Sequence, residues 1–262
     1  MTVNHGVTSS SLVGGVLFSL IKFININSNP SEMTKHIGIV GVTSEGASLC
    51  YKTICSEASK IMGLNHHPEI SLHNLSFHKF IEPFNKKDWR ALAELINDSI
   101  KKLASLGADF AIIPANSVHF AFDEIKRISP IPVLSIVEIT AKECKQKNFK
   151  KVGILGVGMT MSGGLFNESL EKYHITPVTP NQHEQKIVNG TIYNEIVPAK
   201  PAKDTTQKII RVITSLKKQG CDAVILGCTE LPLIISEKNS PLPFIDTTRL
   251  LARKALEYAL EK

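Results

Sequence analysis

A chain of 262 residues, 43% of them hydrophobic and with a mean hydropathy of +0.04, can bury one large or two smaller cores, which excludes a disordered or fibrous protein. Its net charge of +6 and pI of about 9.0 come with lysines grouped at Lys142, Lys145, Lys147, Lys150 and Lys151. Few aromatics interleave them, so nucleic acid is not an expected partner, and the positive field only mildly favours anionic small molecules. Five cysteines without a CxxC pair exclude a disulfide framework and a zinc ribbon, and fit a reducing, cytoplasmic setting. His66, His67, His73 and His78 lack the spacing of a helix-borne metal site, so no metal is expected.

Residues 1–35 stand apart as an N-terminal extension, expected to be disordered. The apolar run Leu12–Ile21 is too short to span a bilayer, and it lacks the basic start and cleavage site of a signal peptide. Met33-Thr34-Lys35-His36, directly before a strand, reads as the natural start. Ile37–Val40 is a buried strand, and Thr43-Ser44-Glu45-Gly46 turns into a helix carrying Ala47, Cys50, Ile54, Ala58 and Ile61 at helical spacing. No GxGxxG dinucleotide fingerprint is present. Glu69–Asn74 is a strand, and a loop with His78, Lys79 and Pro83 is expected after it. Asp88 opens a helix with an apolar face of Leu92, Leu95, Ile96, Ser99, Ile100, Leu103 and Leu106, closed by Gly107. Phe110–Ile113 is a strand, Phe120–Ile128 a short helix and Pro132–Ile136 another strand.

The order then starts again. Lys151–Leu155 is a strand, 158–164 its turn, Leu165–Tyr173 a helix and 182–197 a helical region. Asp204 is placed to cap a helix with Ile209, Val212, Ile213 and Leu216 facing in. Ala223–Leu226 is an apolar strand ending in Gly227. A helix from about 231, a strand Pro243–Ile245 and a last helix from Thr248 complete the chain. Alternation of this kind gives parallel sheets covered by helices.

Cys228 stands at the turn after the strand 223–226, in Gly227-Cys228-Thr229-Glu230-Leu231-Pro232. There the positive end of a following helix would lower the thiol pKa, whereas a free cysteine is more often a buried, inert hydrophobe. The segment Gly107-Ala108-Asp109 through Ala115-Asn116-Ser117 repeats the layout of 220–230, with Ala115 matching Cys228 at an offset of 113 residues. His36–Val42 resembles Lys151–Val157 at an offset of 115. Two matched pairs at nearly one spacing imply a duplicated half. The expectation is an α/β protein of two similar doubly wound parallel-sheet domains, residues 36–135 plus 246–262 and residues 136–245. Ligands bind beyond the carboxyl ends of such strands. The turns at 41–46, 114–119, 156–163 and 227–230 all lie there, in a cleft between the halves. They offer Thr43, Ser44, Asn116, Ser117, Thr160, Ser162 and Thr229 as donors for a small anion, although each is also an ordinary capping residue.

These motifs resemble the aspartate/glutamate racemase family, the cofactor-independent group that includes hydantoin racemase, maleate isomerase and arylmalonate decarboxylase. Gly227-Cys228-Thr229-Glu230 matches as it stands, and Ala115-Asn116-Ser117-Val118-His119 matches Cys-Asn-Thr-x-His with two replacements. Thr160-Met161 and Asp246-Thr247-Thr248 match further family motifs, in the expected order. The resemblance implies racemisation of an acidic amino acid, aspartate before glutamate, without cofactor or metal. One thiolate removes the α-proton and a thiol on the other face returns one. It also implies a homodimer. In this reading Cys228 is one acid/base, and Asn116, Ser117, Thr160, Thr229 and Ser44 hold the carboxylate. Glu230 holds the thiol or the ammonium group, or is a surface carboxylate. His119 caps or packs. His78, Lys79, Lys186 and Lys200 are candidates, by region, for a side-chain carboxylate.

Ala115 leaves the second acid/base position vacant. One explanation is that Ser117, His119 or a bound water serves that face. A second is single-thiol chemistry of the decarboxylase type. A third is a non-catalytic binder of an amino acid or dicarboxylate, or a Cys-to-Ala variant.

Overall fold

The computed structural model describes residues 34–261, so the apolar run 12–21 and the start at Met33 lie outside the described residues. Two four-stranded parallel sheets form from the two halves of the chain. In the first, β1 (Ile37–Gly41) pairs with β2 (Ile70–Asn74) and β3 (Phe110–Ile112), and β3 pairs with β4 (Val133–Leu134), in the order β2-β1-β3-β4. In the second, β5 (Lys151–Leu155), β6 (Thr176–Val178), β7 (Ala223–Leu226) and β8 (Phe244–Asp246) take the order β6-β5-β7-β8. The helices are α1 (Ser44–Met62), α2 (His78–Asn85), α3 (Trp89–Ser105), α4 (Phe122–Ile128), α5 (Ile136–Gln146), α6 (Gly158–Ser162), α7 (Asn167–Glu171), α8 (Gln182–Thr191), α9 (Thr205–Lys218) and α10 (Thr247–Leu260).

Strand side chains point alternately to opposite faces, and both faces here are apolar. Ile37, Ile39, Phe110 and Ile112 of the first sheet, and Val152, Ile154, Ala223 and Ile225 of the second, enter one shared core with α1, α5 and α10. Val40, Ala111 and Ile113 face outward into a core with α3 and α4, while Leu155, Val224 and Leu226 face one with α8 and α9. The layers are therefore helices, sheet, helices, sheet, helices.

The repeated Gly-small-Asp has a structural job. Gly107 and Gly220 take φ of +91° and +84°, where an L side chain would be strained. Each lets the chain leave its helix so that the following aspartate reaches the neighbouring strand. Asp109 Oδ2 accepts from the His36 N–H at 2.6 Å, and Asp222 Oδ2 accepts from the Lys150 and Lys151 N–H groups at 2.6 and 2.9 Å.

Several local expectations change. Residues 78–85 are a helix, not a loop: buried Phe80 anchors it and outweighs the hydrogen bond Pro83 cannot make. The strand expected at 132–136 is two residues long, because Ser135 accepts from the Glu138 N–H at 3.2 Å and starts α5, a helix the periodicity does not announce. The edge strand β6, containing Pro177, was also not anticipated; it pairs on one side only, which leaves proline tolerable. Leu106 lies exposed past the end of α3. Asp204 makes no cap bond and instead pairs with Lys208 at 3.2 Å. No long helix follows Cys228, only a single 3₁₀ turn, Leu231–Leu233. Among the described residues no helix is long and apolar enough to cross a membrane.

Candidate active site

The turn after β7 is built on close backbone approach. A Cβ at Gly227 would lie 3.0 Å from the Thr160 methyl and 3.1 Å from the Leu155 carbonyl oxygen, so glycine lets the β5 and β7 turns touch. The first half meets this turn at Gly46, in the first turn of α1. A Cβ there would lie 2.5 Å from the Pro114 carbonyl oxygen and 3.0 Å from the Thr229 methyl. A second link runs from Asn116, whose Nδ2 donates to Thr247 Oγ1 at 3.0 Å; Thr247 Oγ1 in turn donates to the Leu226 carbonyl at 3.1 Å. The turns after β1, β3, β5, β7 and β8 are thereby tied together around residues 115–116 and 227–229.

Cys228 is partly buried, and its Sγ donates to Glu230 Oε2 at 2.7 Å. Burial pushes the thiol pKa well above its ordinary value, and the Glu230 carboxylate raises it further. A helix N-terminus was expected to lower it. The single 3₁₀ turn here supplies little dipole, and a buried carboxylate two residues away outweighs it. The resting group is thus the thiol. Glu230 is buried, which overturns the surface-carboxylate alternative.

Ala115, which follows the Pro114 whose carbonyl approaches Gly46, is 8% exposed, and its backbone is held from both sides. Its N–H donates to the Ile113 carbonyl at 2.8 Å, and its carbonyl accepts from His119 Nδ1 at 2.9 Å. His119 Nε2 accepts from the Ile136 N–H at 3.3 Å, so both ring nitrogens are engaged. Burial pushes this imidazole down to about 4, and it stacks on Phe122. His119 therefore fixes the loop and has no free lone pair for the 115 face. Ser117 is half-buried near the same loop.

Two polar atoms of the site, Asn116 Oδ1 and Thr160 Oγ1, are buried without a protein partner. An unpaired buried polar atom costs about 1–3 kcal/mol, so these two are suited to a polar ligand. Thr43 Oγ1 accepts from the Gly46 N–H at 3.2 Å and acts as a cap. Ser162 is exposed, and its Oγ donates back to the Gly158 carbonyl at 2.9 Å. Ser44 is exposed in the first turn of α1. His78, Lys79 and Lys200 are exposed, and exposed Lys186 lies beside Gly158 in a groove of about 310 Å³ with Gln182, Gln185 and Asn189. A groove of about 810 Å³ lies elsewhere, between α5, β8 and α10; its Lys147, Arg249 and Arg253 are paired with Glu143, Asp246 and Glu57.

Sequence reasoning missed Tyr193. It lies in a π-turn, Ile192–Ile196, that continues α8; it is half-exposed, and its phenol pKa is raised by partial desolvation and then by the nearby Cys228 and Glu230. A π-turn leaves no composition signal; an aromatic within a helical region was the only visible cue. Thr247 was visible in a motif but was not assigned to the site.

A family model for Asp/Glu/hydantoin racemase matches residues 39–255, nearly the whole described chain. The chain belongs to the Asp/Glu/hydantoin racemase family. Among this family's curated members, it is 28% identical over 169 residues to the broad specificity amino-acid racemase RacX of Bacillus subtilis (strain 168), covering 64% of this chain and 73% of that one. Among solved structures, an aspartate racemase homologue from Pyrococcus horikoshii OT3 superposes with a TM-score of 0.77 at 29% identity, covering 87% of this chain and 100% of that one. The Picrophilus torridus aspartate racemase does so with a TM-score of 0.71 at 28% identity, covering 87% and 95%. The two-sheet architecture is therefore the racemase family's fold.

Proposed function

We propose that this chain is an amino-acid racemase-type isomerase that labilises the α-proton through Cys228. The observation carrying the proposal is the Cys228 Sγ to Glu230 Oε2 contact of 2.7 Å, at the turn the first half reaches through Gly46 and Asn116. Asn116 Oδ1 and Thr160 Oγ1, with Ser117, Thr229 and Ser44, are the polar groups proposed around the substrate's charged ends. As the substrate ammonium comes beside the sulfur it stabilises the thiolate there, and the thiol proton passes along the Sγ–Oε2 contact to Glu230. The thiolate then takes the α-proton, the electron pair moves into the carboxylate as an enolate-like anion, and the same sulfur returns a proton.

With a methyl at 115 no thiol stands on the opposite face, so return to the same face is faster than inversion. In deuterium oxide, NMR should show α-proton loss from one enantiomer of the substrate with retained configuration. Cys228→Ser should abolish that loss while binding persists. Binding of an amino acid without exchange in the native chain would instead identify a non-catalytic binder. The relatives with aspartate in their names make an acidic side chain the family expectation, while RacX carries a broader one.

A further inference from the structure

Thr247, the first residue of α10, is fully buried, and its hydroxyl is engaged twice. It gives its proton to the Leu226 carbonyl at 3.1 Å, since a carbonyl can only accept. Thr247 Oγ1 then has lone pairs alone to offer the Asn116 side-chain amide, 3.0 Å away. Only the NH2 end of that amide can bond to it. In the reverse orientation one of the two carbonyls, that of Leu226 or that of Asn116, would face the threonine oxygen with no proton between them. A hydroxyl in the second half of the chain therefore decides which way an amide in the first half points.

That orientation has a chemical consequence. Asn116 is 5% exposed, and its Oδ1 has no protein partner. An amide oxygen accepts and never donates. Asn116 belongs to the turn after β3, beside Ala115, and through Thr247 it is tied to the last residue of β7, two residues before Cys228. A second unpartnered atom, the buried Thr160 Oγ1, belongs to the neighbouring turn. The Thr160 methyl lies 3.0 Å from where a Cβ on Gly227 would stand. Its hydroxyl can donate. One unpaired acceptor and one unpaired donor around the end of β7 suit a ligand that carries a donor and an acceptor close together. An α-amino acid does so, with ammonium and carboxylate on a single carbon. A carboxylate set against Asn116 Oδ1 would put oxygen against oxygen, both desolvated and neither paired.

We infer that Thr247 is a positioning residue that turns the Asn116 carbonyl towards the substrate's ammonium group, so that the site takes an α-amino acid and rejects the same acid without that group. Asn116 then holds the ammonium end, not the carboxylate that the family resemblance implied. The inference rests on the site proposed above but not on its thiol chemistry, so its test reads binding rather than exchange.

Calorimetry on the native chain compares aspartate with succinate, and leucine with 4-methylpentanoate, using both enantiomers of each amino acid. At least one amino acid should bind about tenfold or more tightly than its counterpart lacking the ammonium group. Thr247→Val keeps the shape, removes the hydroxyl and should cut that ratio to about threefold or less; Thr247→Ser keeps the hydroxyl and should preserve it. A hydroxyl that only held the halves together would weaken both members of a pair alike and leave the ratio in place. If Thr247→Val does not fold, Asn116→Asp decides. A carboxylate there should widen the ratio if oxygen already faces the ammonium, and would weaken both members alike if the NH2 end faced a carboxylate. Equal binding within the pairs, a ratio unmoved by Thr247→Val, or no binding of any of these compounds would overturn the inference. Cys228-dependent exchange alongside equal binding would leave the Cys228 reading standing; selective binding of the amino acid without exchange would end that reading and uphold this one.

Discussion

Glu230→Gln isolates the electrostatics of the candidate site. The carboxylate oxygen lies 2.7 Å from the Cys228 sulfur, and ionising the thiol would place two negative charges side by side. At an effective dielectric of about 20, unit charges roughly 4 Å apart interact by about 4 kcal/mol. Solvent reaches part of the sulfur and screens some of this, so the thiol pKa is expected to fall on replacing the carboxylate with a neutral amide, though burial still holds it up. The assay is the rate of alkylation by iodoacetamide against pH, read at the Cys228 peptide by mass spectrometry. Cys50, Cys144 and Cys221 are buried, with their thiol pKa values raised by that burial, so they contribute little. The midpoint for Cys228 should move to lower pH in the variant. A midpoint that stays put or rises would show that Glu230 does not govern the thiol, and the proton-transfer route through it would fail.

Restoring a thiol with Ala115→Cys should raise the rate of inversion relative to retained exchange by about a hundredfold, followed by circular dichroism of the substrate. No gain would show that the opposite face is reshaped, not merely short of a thiol. His119 is held neutral, with a pKa lowered from 6.5 to about 4, so its contribution to stability is complete above about pH 6.5 and is lost as pH falls toward 4. The difference corresponds to about 3 kcal/mol; urea midpoints at pH 7 and pH 4.5 should diverge more for the native chain than for His119→Gln. Gly46→Ala pushes a methyl to 2.5 Å from the Pro114 carbonyl and should destabilise by about 1–3 kcal/mol while slowing exchange. Asp222→Ala removes the acceptor for two N–H groups and should cost about 1–2 kcal/mol in thermal or urea unfolding, without changing KM.

Seven of the eight described strands were legible as short runs closed by Gly or turn residues; β6, a three-residue edge strand with Pro177 inside it, was not. The repeat was legible for a similar reason: Gly107 and Gly220 must supply positive φ, and Asp109 and Asp222 must catch strand N–H groups, so the same letters recur. Position 115 was readable as the counterpart of 228 from that register alone. Local sequence could not decide what happens where elements meet. The Cys228 thiol pKa was misjudged because it depends on a carboxylate folded back beneath the sulfur and on burial, neither of which is a property of the turn itself. His119 looked like a possible base until tertiary contacts occupied both of its nitrogens. Tyr193 had no local signature, since it is its neighbours Ile192 and Ile196 that pack in one core with Val224 and Leu226 of a distant strand. Periodicity and turn chemistry, which act over a few residues, were written in the sequence; charge neighbours and burial, which act through space, were set only when the two halves closed on each other.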